Sequence, residues 1–252
     1  MSDRVGAAAG ARGRVLVCCA HGTASPDGRR VVDALVDAVR AARPHLQVLE
    51  AFVDVQEPAV ADVVSNAVAA GAESVVVVPL LLSAGFHVHV DIARAVEPHP
   101  AAVAAGALGP DDRLADMLVD LLRTAGGRDG DAVVLAAAGS SDARAAADVR
   151  VVAAGLGRAW PGPVTVGFGS SATPTVPDAV AAARALTAAR GPAGALVLVA
   201  AYLLAPGYFW TALQRAGADV VTAPLGALGP DGEPVVDDRL VQVVLDRFDA
   251  TG

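Results

Sequence analysis

The segment Gly106-Ala107-Leu108-Gly109-Pro110-Asp111 returns as Gly226-Ala227-Leu228-Gly229-Pro230-Asp231, an offset of 120 residues. An echo of that length marks an internal repeat, so one architecture must serve twice within the chain. Working back from it, Val75-Val76-Val77-Val78 and the turn reaching Gly85 match Val197-Leu198-Val199-Ala200 and the turn reaching Gly207. Ala20-His21-Gly22-Thr23 matches Ala137-Ala138-Gly139-Ser140, so that Ala138 stands for His21 and Phe209 for His87. A duplicated scaffold keeps its turn glycines and apolar strands wherever both copies fold, but needs reactive side chains in one copy only. The two imidazoles are therefore read as functional groups of the first half.

A chain of 252 residues accommodates two domains of ordinary size. The expected organisation is a flexible tail over residues 1–13, an N-terminal α/β lobe over 14–123, a linker over 124–130 and a C-terminal lobe over 131–252 that is a degenerate repeat of the first. Each half is long enough to bury a core of its own. Mean hydropathy is +0.50, carried mostly by Ala and Val. No apolar run approaches the roughly 18 residues that a membrane-spanning helix needs. The tail lacks the apolar stretch of a secretory signal, and the expected location is the cytoplasm.

Strand and helix signals alternate. Arg14 to Ala20 reads as a short apolar strand, after which Ser25-Pro26-Asp27 supplies an N-cap and a proline for a helix to Ala42. A strand from Leu46 to Val53 precedes a helix from near Pro58 to Gly71. Ser74 to Leu80 is continuously apolar, the pattern of a strand covered on both faces, and a helix is expected just after His87. A strand at 101–105 and a helix from Asp111 to Leu122 close the half; the second half repeats the order, with strands near 131–137, 163–168, 195–201 and 219–223. The fold class is α/β: two tandem flavodoxin-like, Rossmann-like lobes with parallel four-stranded sheets. Ligands in such sheets sit beyond the carboxyl ends of the strands, and a 2-1-3-4 order makes the strands before His21 and His87 neighbours. Both residues are expected to face one cleft between the halves.

Composition excludes several functions. A net charge of −8, with no basic run, argues against nucleic acid and anionic membranes. All 19 basic residues are Arg, which suits carboxylate recognition but is also what a coding bias toward Arg, Ala and Val would leave. Cys18 and Cys19 are adjacent on a strand, point to opposite faces and read as buried reduced thiols. The 2 Cys and 5 His form no zinc or cluster signature, and no phosphate-binding glycine motif occurs, so neither a prosthetic group nor a nucleotide is expected.

Strand-His21-Gly22-Thr23, then Ala51-Phe52-Val53-Asp54-Val55-Gln56-Glu57-Pro58, then a Val-rich strand running into Pro79-Leu80-Leu81-Leu82-Ser83-Ala84-Gly85-Phe86-His87-Val88-His89-Val90-Asp91-Ile92, resembles the sirohydrochlorin chelatase family in its two-domain form. The resemblance runs from about Val15 to Phe248 and is most specific in the first half. It implies a chelatase-like fold and a lyase of the ATP-independent class II type. Such an enzyme inserts Fe2+ or Co2+, as metal substrate, into sirohydrochlorin on the siroheme or cobalamin branch. By motif His21 and His87 fall on the family's two active-site histidines. Thr23 departs from the pattern, where Ser is frequent, and Ala24-Ser25 replaces the usual Arg-Asp.

Insertion of M2+ into a free-base tetrapyrrole releases two pyrrole N–H protons. Histidine, with an unperturbed pKa of about 6.5, both binds divalent metals and accepts protons near neutrality. His21 and His87 are assigned jointly to metal delivery and proton abstraction. Substrate-binding candidates are Gly22, Thr23, Arg29, Gly85, Glu57 and His89. The turns from Gly22 to Gly28 and from Ser83 to Gly85 offer backbone N–H groups to a polycarboxylate. For Glu57, Asp54 and Asp91 helix-end electrostatics is the preferred reading. Arg29 and Arg30 pair with substrate carboxylates or stay solvated, and His45 and His99 sit in exposed loops. The expected partner is the tetrapyrrole, with the protein a monomer of two pseudo-symmetric lobes or a homodimer. The competing class is a non-catalytic carrier of tetrapyrrole or metal; a simple binding module with strand-capping histidines is a third.

Overall fold

The computed structural model describes residues 13–251 apart from positions 84 and 191, and apart from the side chains at positions 86–89 and 190; residues 1–12 of the expected tail lie outside the described residues. The first half runs β1 (Arg14–Ala20), α1 (Pro26–Ala42), β2 (Gln47–Phe52), α2 (Val60–Ala69), β3 (Ser74–Pro79), α3 (Phe86–Val96), β4 (Ala102–Ala104) and α4 (Asp112–Thr124). The second runs β5 (Ala132–Ala137), α5 (Ala143–Ala159), β6 (Val164–Phe168), α6 (Val176–Arg190), β7 (Val197–Tyr202), α7 (Tyr208–Leu213), β8 (Val220–Val221), a hairpin of β9 (Ala227–Leu228) and β10 (Pro234–Val235), and α8 (Asp238–Asp249). Two parallel sheets result, in the orders β2-β1-β3-β4 and β6-β5-β7-β8. The expected strand order and fold class are what the chain adopts.

Helix starts follow local chemistry. The Ser25 hydroxyl accepts from Gly28 N at 3.2 Å, with Pro26 opening α1. Asp111, Asp142 and Asp237 cap α4, α5 and α8, each accepting the backbone N–H two residues on and binding the guanidinium of that same residue, Arg113, Arg144 or Arg239. Helix α3 begins at Phe86 rather than after His87. Gly85, with φ −71° and ψ 139°, already stands as its extended N-cap, so position 87 lies inside the first turn.

Strand alternation distributes the core. Val15, Val17 and Cys19 of β1 face one way, toward α2 and α3; Leu16, Cys18 and Ala20 face the other. In the second sheet Ala132, Val134 and Ala136 face α6 and α7, whereas Val133, Leu135 and Ala137 join Leu16 and Cys18 in the largest cluster. That cluster is filled by a row of four helices between the sheets, in the order α1, α8, α4, α5. The row reads the same from either end once α1 is matched with α5 and α4 with α8. Helix α4 leaves its own sheet to pack on β7 and α5, and α8 packs on β3 and α1. The expectation that each half buries its own core holds on the outer faces of the sheets, toward α2 and α3 and toward α6 and α7; on the inner faces the halves share one core, and each lends its last helix to the other.

The echo that reveals the repeat is also out of structural register. Leu108 N bonds Leu81 O and Leu225 N bonds Leu203 O, so Leu225, not Leu228, is the counterpart of Leu108. Gly226 to Asp231 enters the β9–β10 hairpin, and the counterpart of Asp111-Asp112-Arg113 is Asp237-Asp238-Arg239. The hairpin is an insertion in the second half, and its short strands carried no periodicity long enough to read.

Candidate active site

His21 follows β1 directly, and its exposed side chain projects at the carboxyl edge of the first sheet. Backbone bonds hold the turn: Val53 N donates to Ala20 O at 3.0 Å and Asp54 N to His21 O at 2.9 Å. Gly22, at φ +95°, lies so close to Asp54 O that no Cβ fits there. The second half rebuilds this turn without the histidine. Ser170 N donates to Ala138 O at 2.9 Å, and Gly139, at φ +89°, presses on Ser170 O in the same way. Even the non-glycine residues of positive φ correspond, Val55 in one copy and Ser171 in the other.

Thr23 is occupied in holding the turn. Its N–H donates to Gln56 Oε1 at 2.9 Å, its Oγ1 accepts from Ser25 N at 3.1 Å, and its carbonyl accepts from Arg29 Nε at 2.8 Å. Sequence reading passed over Gln56. The signal was available in the repeat: the matching register of Phe52 and Phe168, which bond the equivalent carbonyls of Pro58 and Pro174, places Ala172 opposite Gln56. The glutamine, like the histidines, exists in one copy only.

The turn faces the second lobe. A Cβ at Gly28 would meet Pro206 O at 2.5 Å, and one at Gly207 would meet Thr23 Oγ1 at 3.7 Å. The β3–α3 loop makes the reciprocal approach, with Ser140 Oγ 4.0 Å from a Cβ at Gly85. Position 87, in the first turn of α3, thus sits on the strand loop next to that of His21, since β1 pairs with β3 through Cys19 and Pro79. The side chains of His87 and His89 lie outside the described residues. On the helix the two positions are about 200° apart around the axis, so they serve different sides. Their second-half counterpart is informative: the ring of Phe209, opposite position 87, lies over Gly169, whose added Cβ would meet Phe209 Cδ1 at 2.9 Å and Ala138 O at 3.2 Å.

Other candidates have structural employment. Glu57 is exposed and its Oε2 accepts from Ala59 N at 2.8 Å at the start of α2, the helix-end role expected of it. Arg30 reaches Glu233 at 3.4 Å on the inserted hairpin. Asp54 Oδ1 takes Val55 N at 2.7 Å, and Asp91 pairs with Arg94 at 3.7 Å. His99 is half-buried and 3.0 Å from Ser65 Oγ, not exposed as expected, because the turn after α3 folds back on α2; His45 is exposed. Burial pushes both thiols up to about 12, so Cys18 and Cys19 stay protonated at neutral pH and offer no thiolate. A cavity of about 800 Å3, lined by Arg14, His45 and Phe248 among others, opens at the opposite end of β1 and holds none of the site residues. Among the described residues no group of three or more His, Cys, Asp or Glu is placed to hold a metal ion, and no helix is long and apolar enough to cross a membrane.

Residues 15–125 match the model of the CbiX family. The matched stretch contains both His21 and His87. None of the curated proteins matches the chain in sequence. Solved structures share the fold over both lobes. SirB from Bacillus subtilis with Fe3+ is 19% identical, with a TM-score of 0.74 and 95% of each chain covered. SirB from Bacillus subtilis subspecies spizizenii, a sirohydrochlorin chelatase in complex with cobalt, is 18% identical, with a TM-score of 0.72 and 95% of each chain covered. CbiX, the terminal enzyme for biosynthesis of siroheme in denitrifying bacteria, is 21% identical, with a TM-score of 0.63 and 94% of this chain and 99% of that chain covered.

Proposed function

We propose that the protein inserts a divalent metal, Fe2+ or Co2+, into sirohydrochlorin without a nucleotide, in siroheme or cobalamin synthesis, with His21 and His87 as the working groups. One observation carries the reading: an exposed imidazole stands at the carboxyl edge of the first lobe, on a turn braced by Asp54, Gln56 and Arg29, next to the loop that bears position 87 and opposite the second lobe. The metal complexes of the two SirB proteins support a metal substrate. In the second copy, which has no histidine at either place, Phe209 stands at the position that corresponds to 87 and its ring lies by the Ala138 turn, so the imidazoles are confined to the first lobe.

The ring delivers two pyrrole protons and takes one M2+, so charge balances with 2 H+ released per metal bound. His21 Nδ1 lies 3.4 Å from Gly22 O; in the tautomer that donates there, Nε2 keeps its lone pair for metal or proton. Arg29, with Nε engaged on Thr23 O, still presents its exposed guanidinium to the peripheral carboxylates of the macrocycle.

The test is anaerobic turnover of sirohydrochlorin with Fe2+ or Co2+ at substoichiometric protein, followed by absorbance. Many turnovers are expected from the wild type, a loss of at least about 100-fold in His21→Ala and in His87→Ala, and little change in His45→Ala. Capture of one equivalent of ring or metal without turnover overturns the enzyme in favour of a carrier.

A further inference from the structure

The chain is poor in aromatic residues, with 5 Phe, 2 Trp and 2 Tyr, yet Tyr208, Phe209 and Trp210 are consecutive. They follow the loop of the second lobe that touches the His21 turn. Two of them are committed. Phe209 covers Gly169, and Trp210 Nε1 donates to Thr222 O at 3.0 Å. Tyr208 is not: it is 83% exposed, the most exposed large apolar side chain among the described residues, and its ring lies edge-to-face with that of Phe209, centroids 5.6 Å apart at 76°. Its neighbour Gly207 approaches Thr23 and Ser25, two and four residues past His21.

We propose that Tyr208 is a binding residue for the flat conjugated face of the tetrapyrrole, supplied by the lobe that lacks the histidines. The inference rests on the chelatase reading and gives the second lobe a share in that site. A large planar π-system held against the exposed His21 also comes up against the β7–α7 loop, because Pro206 and Gly207 border the His21 turn. A tyrosine with two χ angles loses little freedom on stacking there, and an exposed ring braced edge-on by Phe209 gains most from a planar partner. The division of labour follows the repeat: the first copy keeps imidazoles at 21 and 87, while the second carries an aromatic run at 208–210 in place of the Phe86-His87 corner.

Equilibrium dialysis of metal-free sirohydrochlorin against the full chain, with steady-state kinetics using Co2+, reads the proposal. Tyr208→Ala is expected to raise Kd and KM about tenfold with kcat within about twofold, and to leave metal affinity and Tm as in the wild type. Tyr208→Phe keeps the ring and is expected to bind within about twofold of wild type. If the wild type binds and metallates the ring and Tyr208→Ala binds it equally well, this inference alone is overturned. The same holds if Tyr208→Phe is as weak as Tyr208→Ala, or if Tyr208→Ala alters only the oligomeric state. A wild type that neither binds nor metallates the ring overturns the chelatase reading and this one together.

Discussion

Gly22 and Gly139 separate stability from activity at the scale of single residues. Each sits at positive φ with a neighbouring carbonyl where a side chain would go, Asp54 O in one copy and Ser170 O in the other. Gly22→Ala and Gly139→Ala are each expected to cost roughly 2–3 kcal/mol of stability, read by denaturant unfolding. Only Gly22→Ala also displaces an imidazole, and a shift of about 1 Å at a reacting group costs on the order of 100-fold in rate. Equal loss of kcat in both variants would mean that the His21 turn has no special part in the reaction. The occurrence of His21 and His87 in one copy only was legible in the sequence because the second copy supplied an internal control. Gln56 was legible by the same comparison only once the β2–α2 and β6–α6 loops were aligned through their bonds from Phe52 and Phe168.

Among the elements, the junction of α4 and α8 carries the clearest dependence on pH. Asp111 caps α4, takes a bidentate bond from Arg113 at 2.9 and 2.8 Å, and meets Arg247 of α8 at 3.4 Å. The bond from Arg113 is the main cause of a carboxyl held below its usual range; burial opposes it, and Arg247 adds to it. A depressed folded pKa stabilises the native state above the unfolded value, about 3.9, and that contribution disappears as pH falls through the folded value. Asp111→Asn is therefore expected to cost about 1 kcal/mol at pH 7, with the difference from wild type shrinking below about pH 4. A difference that stays constant from pH 7 to pH 3 would refute the linkage. The periodicities of α1 and α4 were readable because each buries a single stripe. The β9–β10 hairpin was not, since strands of two residues have no period and Gly226 to Asp231 copies a segment that elsewhere leads into a helix.

For the whole molecule the exchange of α4 and α8 matters most. Leu114, Leu118 and Leu122 of α4 are fully buried in the shared core, and at roughly 2 kcal/mol each their exposure would cost an amount comparable to the stability of an entire domain. Residues 14–123 expressed alone are expected to aggregate or to dimerise by covering the face that α8 leaves bare. Size-exclusion chromatography and thermal unfolding decide it: a cooperative monomer would show the lobes to be independent. A second tie crosses the same boundary, where Tyr202 Oη donates to Leu82 O at 2.8 Å in the loop ahead of α3, and Gly109 leaves room for that ring.

Local order needs only local information, so the strand order, the Ser25 cap, the opposite faces of Cys18 and Cys19 and the one-sided histidines could all be read along the chain. Apolar alternation states which residues are buried, but not against what. Leu16 and Leu118 carry the same hydrophobic signal whether a helix covers its own sheet or its neighbour's, and only the packed structure decides that α4 and α8 trade places. The approach of Pro206 and Gly207 to the His21 turn is of the same kind, a contact between residues some 180 positions apart that no period or motif encodes.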